Sequence, residues 1–297
     1  MMPDGWLGCG TALVTPFTRD GAVDEAALRA LVDWQIAEGI HFLVPCGSTG
    51  EAATMTAAEH RRVVEVVVEQ ANGRVPVVAG AGANDTRRAV ALSREMRDAG
   101  ATHLLHVSPM YNKPPQRGIV AHFRAVADAT GLPVIVYNVP GRTGSNIEAR
   151  TTLKLATVPN IVAVKEASGN LAQIMDVIRE RPPHFSVLSG DDALTLAVMA
   201  AGGDGVISVT SNATPRLMAE LADCAARGDS DGARDRHYRL TPWMHAAFCE
   251  SNPLPVKAAL AMMGKIENVL RLPLVPLADA QTPRVRESLV AAGALGA

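Results

Sequence analysis

At 297 residues, with 48% hydrophobic and 20% charged side chains and a net charge of −2, the chain can build one large domain and lacks the basic excess that suits nucleic acid or an anionic membrane. Four scattered cysteines, Cys9, Cys46, Cys224 and Cys249, have no CxxC spacing and read as reduced thiols of a cytoplasmic protein. No run approaches the ~18 apolar residues of a membrane helix, and MMPDGWLGCG lacks a basic stretch followed by an apolar one, so we expect a soluble protein without a leader that works on a small molecule.

Short apolar, β-branched runs that stop at Gly, Ser, Asn or Asp follow one another at regular intervals. They are GTALVTPF from Gly10, FLVPCG from Phe42, VPVVAGAG from Val75, HLLHVSP from His103, PVIVYNVP from Pro133, IVAVKEA from Ile161, FSVLSG from Phe185 and GVISVTS from Gly205. Between them lie stretches with helical spacing, such as DEAALRALVDWQIAEG and NDTRRAVALSREMRDAG, which begin at a capping residue and end at glycine. Continuously apolar strands suit a parallel sheet covered by helices. Eight such units predict an α/β fold, a (β/α)8 TIM barrel, with a doubly wound open sheet as the alternative. After Ser211 the strand signal ends. Residues 1–214 are read as the barrel, and 215–297 as a helical extension packed on it within one structural unit, its helices broken at Pro242, Pro253, Pro255, Pro273 and Pro276.

A barrel carries its chemistry where the strands end, so the residues just after each apolar run are the candidates. Lys165 ends the sixth run. In the barrel mouth it would be desolvated, which favours the neutral amine, a nucleophile toward carbonyls; as a plain strand end it would be solvated or paired with Glu166. Tyr137 ends the neighbouring run and could relay protons, given a hydroxyl partner such as Ser48, Thr49 or Tyr111, or it could be a core aromatic with its OH bonded. Arg142 offers a planar fork for a carboxylate, or lies on the surface. GSTGE and GAGAND are weak phosphate-loop patterns, since the first lacks the lysine and the second has Asp85 where a glycine belongs. His103 and His106, three apart on a strand, face opposite ways, and no other cluster has metal spacing.

Taken together, GTALVTPF, GSTGEAAT, SPMYNKP, YNVPGRTG, VKEASGN, LSGDDALTL, GVISVTSN and NPLPVKAAL resemble the pyruvate-dependent class I aldolase family that contains dihydrodipicolinate synthase and N-acetylneuraminate lyase. The resemblance spans essentially the whole chain. It implies a barrel with C-terminal helices, a homotetramer made of tight dimers, and no metal or organic cofactor. It implies that Lys165 forms an imine with pyruvate, that Tyr137 relays protons through Ser48, and that Tyr111 completes the relay in a neighbouring subunit's site. Thr49 would hold the pyruvate carboxylate, while Gly190 and Ile207 match main-chain positions lining the pocket. The YNVPxRTG form, with Arg142, resembles the synthases, which condense pyruvate with L-aspartate 4-semialdehyde to 4-hydroxy-tetrahydrodipicolinate on the route to lysine.

Two departures stand out. Position 48 is Ser where many synthases have Thr, and either hydroxyl can relay a proton. Lysine-inhibited relatives carry His, Glu and Tyr where this chain has Ala57, Arg88 and Met110, so that only Asn84 and His60 fit, which predicts weak or absent inhibition by lysine. A lyase or dehydratase acting on a sugar acid by the same chemistry is the alternative enzyme. A barrel that merely binds a keto acid is the alternative of another class.

Overall fold

The computed structural model describes residues 8–296; the start of the N-terminal stretch read for a leader, residues 1–7, lies outside them. Eight strands form one parallel sheet: β1 Gly8–Ala12, β2 Phe42–Val44, β3 Val78–Gly80, β4 His103–Val107, β5 Val134–Asn138, β6 Ile161–Glu166, β7 Ser186–Ser189 and β8 Gly205–Ser208. β1 pairs with both β2 and β8, and the ring closes between β2 and β3 through Leu43 N–H to Pro76 O (3.0 Å) and Gly80 N–H to Pro45 O (2.9 Å). The closure needs Gly80, because a Cβ there would lie 2.1 Å from the carbonyl oxygen of Cys46. The closed parallel ring is the predicted (β/α)8 barrel and excludes the open doubly wound sheet.

The helices, in chain order, are α1 Glu25–Ala37, α2 Ala57–Ala71, α3 Thr86–Asp98, α4 Gln116–Thr130, α5 Pro140–Thr143, α6 Ala149–Leu155, α7 Leu171–Glu180, α8 Thr195–Ala200, α9 Pro215–Ala226, α10 Ser230–Ala246, α11 Leu254–Met262 and α12 Thr282–Ala292. Their starts follow local chemistry. Asp24, Asp85 and Asn170 each accept a hydrogen bond from a first-turn N–H, and Thr56 with Glu59 makes a reciprocal capping box. α9 follows β8 and packs on β1 and β8, in the place of an eighth outer helix, so α10 to α12 lie beyond the eight βα units.

Strand side chains alternate between two cores. Phe42, Val44, Val78, Leu105, Ile135, Ala163, Leu188 and Ile207 fill the inside of the barrel, while Val134, Val136, Val164 and Val187 point outward against α4, α6 and α7. A further cluster joins Leu28, Val63 and Val206 to Leu240, Trp243, Val256 and Leu289, so apolar packing runs without a break from the barrel into its C-terminal helices.

Two expectations about element limits are corrected. β1 runs from Gly8 to Ala12, not to Phe17, because Val14 N–H is taken by the Asn212 side chain, Pro16 has no N–H to offer, and Phe17 pairs antiparallel with Val23. Pro242 does not break a helix: α10 passes through it, held by the buried faces of Leu240, Trp243 and Met244. Pro253 and Pro255 begin α11, and Pro273 and Pro276 lie in the irregular stretch before α12.

Candidate active site

The C-terminal strand ends surround an open cavity of about 500 Å³. Ser48, Thr49, Tyr137, Arg142, Lys165 and Gly190 all line it. Lys165 follows Ala163 on the inward face of β6, and its Cα is in register with that of Tyr137 on β5, so both side chains point into the mouth from adjacent strands. The lysine Nζ stands 4.4 Å from the centre of the Tyr137 ring.

Burial decides the ionisation of this pair. Lys165 is 4% exposed, and loss of solvent lowers its pKa to about 8; nearby Asp192 opposes the shift and Arg142 adds to it. The same loss of solvent raises Tyr137 to about 12, against the pull of Arg142. At neutral pH the phenol is therefore a proton donor, and a useful fraction of the lysine is a free amine. Gly190 makes room for this lysine: a Cβ there would fall 3.0 Å from Lys165 Cε and 2.7 Å from Ala167 Cβ. Gly190 is itself fixed by its N–H to Glu166 O (2.7 Å).

Asp192, buried two residues further into the turn, accepts hydrogen bonds from Val209 N–H (3.0 Å), Thr210 N–H (3.3 Å) and Thr210 Oγ1 (2.9 Å). It thus ties the end of β7 to the turn after β8. Glu166 does not pair with Lys165. Its side chain faces the other way, accepting from Asn138 Nδ2 (3.0 Å), Ser168 N–H (2.8 Å) and Gln173 Nε2 (3.1 Å).

Ser48 and Thr49 sit on a tight turn after β2, where Gly50 N–H bonds to Gly47 O (3.1 Å) and Glu51 N–H to Ser48 O (3.2 Å). The turn is bolted down by Glu51. Its carboxylate, buried together with the Lys257 side chain, accepts from Lys257 Nζ (2.5 Å) on α11 and from Arg271 N–H (3.1 Å). Lys257 also donates to Val269 O (2.7 Å), and its Nζ and the Arg271 guanidinium each stand over Phe17, at 4.2 and 4.3 Å. Arg271 continues to Glu59, whose carboxyl its guanidinium holds down to about 2. Arg142, on the single turn α5, donates from Nη2 to the backbone oxygen of Asn252 (3.1 Å), and Asn252 Nδ2 donates to Thr49 Oγ1 (2.9 Å).

The remaining candidates fall in different places. Tyr111 is 87% exposed, in the left-handed region at φ 74°, with its N–H on Thr143 O (3.2 Å); it is not part of this chain's cavity wall. The Ile207 side chain packs inside the barrel beneath the site. His60, Asn84, Arg88 and Met110 line the same cavity, and Ala57 lines a smaller recess of about 140 Å³ that shares His60 and Arg88. His106, buried beside Ser93, has its pKa lowered to about 3 by loss of solvent and faces the helices, not the site. Among the described residues no group of three or more His, Cys, Asp or Glu is arranged to hold a metal ion, and no helix is long and apolar enough to cross a membrane. The reading of single residues missed Asn252 and Glu51. The first stands in NPLPVKAAL and the second closes GSTGE, and both act through partners about two hundred positions away that no local pattern announces.

The family model described as the dihydrodipicolinate synthetase family matches residues 6–292. A protein of Koribacter versatilis named 4-hydroxy-tetrahydrodipicolinate synthase is 52% identical over 289 residues, 97% of this chain and 96% of its own. Among solved structures, dihydrodipicolinate synthase from Aquifex aeolicus superposes with a TM-score of 0.94 at 43% identity, covering 96% of this chain and 97% of that one. The enzyme of Acinetobacter baumannii, solved with pyruvate, superposes with a TM-score of 0.96 at 42% identity, covering 97% and 99%. With matches of this extent on both sequence and structure, this chain belongs to the dihydrodipicolinate synthetase family.

Proposed function

We propose that this chain condenses pyruvate with L-aspartate 4-semialdehyde to 4-hydroxy-tetrahydrodipicolinate, a lyase of lysine and diaminopimelate biosynthesis. One observation carries the chemistry: a buried lysine amine with a pKa brought down to about 8, set beside a protonated phenol in an open cavity. The Lys165 amine attacks the keto carbon of pyruvate, water leaves, and an imine forms. Loss of a methyl proton gives the enamine, whose carbon bonds to the aldehyde carbon as the aldehyde oxygen takes a proton. The amino group of the new chain then attacks the imine carbon, closes the ring and releases the lysine, so one water leaves per turnover. The imine is the electron sink, and no cofactor enters the scheme.

Tyr137 moves protons to and from the carbinolamine through Ser48, with Tyr111 of a second copy completing the relay. Thr49 holds the pyruvate carboxylate, main-chain groups at Gly190 and Ile207 line its pocket, and the Arg142 fork takes the carboxylate of the semialdehyde. The exposure of Tyr111 supports the relay between copies, within a homotetramer of paired dimers in the cytoplasm. Turnover of pyruvate with aspartate semialdehyde, followed through a coupled reductase, tests the assignment against cleavage of N-acetylneuraminate. The synthase reading expects the first alone; cleavage without condensation would overturn it.

A further inference from the structure

We infer that Asn252 is a positioning residue for the keto-acid end of the site, its side-chain amide aiming the hydroxyl of Thr49 while its backbone carbonyl separately holds Arg142. This deepens the reading above and rests on Thr49 binding the keto-acid carboxylate. Asn252 lines the cavity, is 5% exposed, and stands just before α11. Its Nδ2 donates to Thr49 Oγ1 (2.9 Å), and its backbone oxygen accepts from Arg142 Nη2 (3.1 Å). Its own Oδ1 is buried and has no hydrogen-bond partner.

The end of the amide that meets Thr49 is the informative feature. A buried acceptor without a donor is destabilising, but turning the amide over would only exchange it for a buried NH2 without an acceptor, with Oδ1 now accepting the Thr49 hydrogen. The turned amide would also take what the keto acid needs. A threonine hydroxyl has one hydrogen: with Oγ1 already accepting from Asn252, that hydrogen is free for an incoming carboxylate, and with Oγ1 donating to Asn252 it is spent. The orientation found keeps the Thr49 hydrogen available to the keto acid. The frame is rigid enough to impose this choice, since Lys257 anchors α11 to the Glu51 end of the Thr49 turn. The two tethers are chemically distinct. Side-chain variants at position 252 alter the hold on Thr49 and leave the carbonyl that holds Arg142.

The test measures the pyruvate concentration that half-saturates borohydride trapping at Lys165, together with the half-saturating semialdehyde concentration in turnover. Asn252→Asp, of the same shape, presents only acceptors to Thr49 and should raise the pyruvate value ~10-fold or more, whereas Asn252→Ala should raise it ~3- to 10-fold. The semialdehyde value should stay within ~2-fold, and in a Thr49→Val background Asn252→Ala should add less than ~2-fold. An unchanged pyruvate value in both variants overturns the inference. So does a parallel rise for both substrates, or an undiminished effect in the Thr49→Val background, since either marks a merely structural residue. If the unaltered protein is not trapped at Lys165 at all, the reading of the site fails first; trapping with no effect at 252 sinks only this inference.

Discussion

The Lys165 amine is held in its reactive state by removal of water more than by any one charge, since loss of solvent is the main cause of its lowered pKa and Asp192 works against it. That environment penalises folding. With pKa values of about 8 folded and 10.5 in solvent, the unfolded chain binds more protons between those limits, so stability rises with pH across that window and the penalty is complete below it. At pH 7 the penalty is about 3 kcal/mol by order of magnitude. Lys165→Met should therefore be inactive yet melt no lower than the parent at pH 7, with its relative advantage shrinking toward pH 10; a melting temperature several degrees lower would show that the ammonium is better solvated than its burial implies. Gly190 belongs to the same scale. Its missing Cβ is legible in the sequence only as a glycine after a strand, and the reason for it, the path of the Lys165 side chain, needs coordinates.

Among the elements, strands were the easiest to read, because most inward and outward side chains are apolar and each run stops at a turn former. The order of strands then put Lys165 next to Tyr137, and the structure shows them in register. Less legible were β1 and α10, where a side chain from 198 positions away took a strand's N–H and tertiary packing carried a helix through proline. Least legible was the tether of the Ser48–Thr49 turn to α11. A buried Glu51–Lys257 pair cannot be inferred from spacing, because its members stand 206 positions apart and each alone reads as a surface charge. Removing one member leaves the other charged and unpaired in a dry setting, so Lys257→Met should lower stability by about 3–5 kcal/mol in denaturant unfolding. A loss under about 1 kcal/mol would mean that water reaches Glu51.

At the scale of the whole molecule, the barrel accounts for everything in the proposed site except Tyr111, which is exposed, outside the lining of its own cavity and in a left-handed backbone conformation. Activity should therefore fall as the proposed assembly is diluted into single chains, with the loss of turnover tracking dissociation in sedimentation; single chains with full turnover would remove Tyr111 from the relay. The cavity wall also carries Arg88, a cation where binding of lysine's ammonium calls for a carboxylate. Lysine should leave turnover nearly unchanged at millimolar concentration, and half-maximal inhibition below that range would contradict the account.

The central claim is that Lys165 is the nucleophile, and borohydride reduction in the presence of pyruvate, followed by mass spectrometry of the digested protein, tests it most directly. The account predicts a reduced pyruvyl adduct on the peptide containing Lys165, forming faster as pH rises toward about 8 and absent from Lys165→Met. An adduct on another lysine, or none at all, would contradict it.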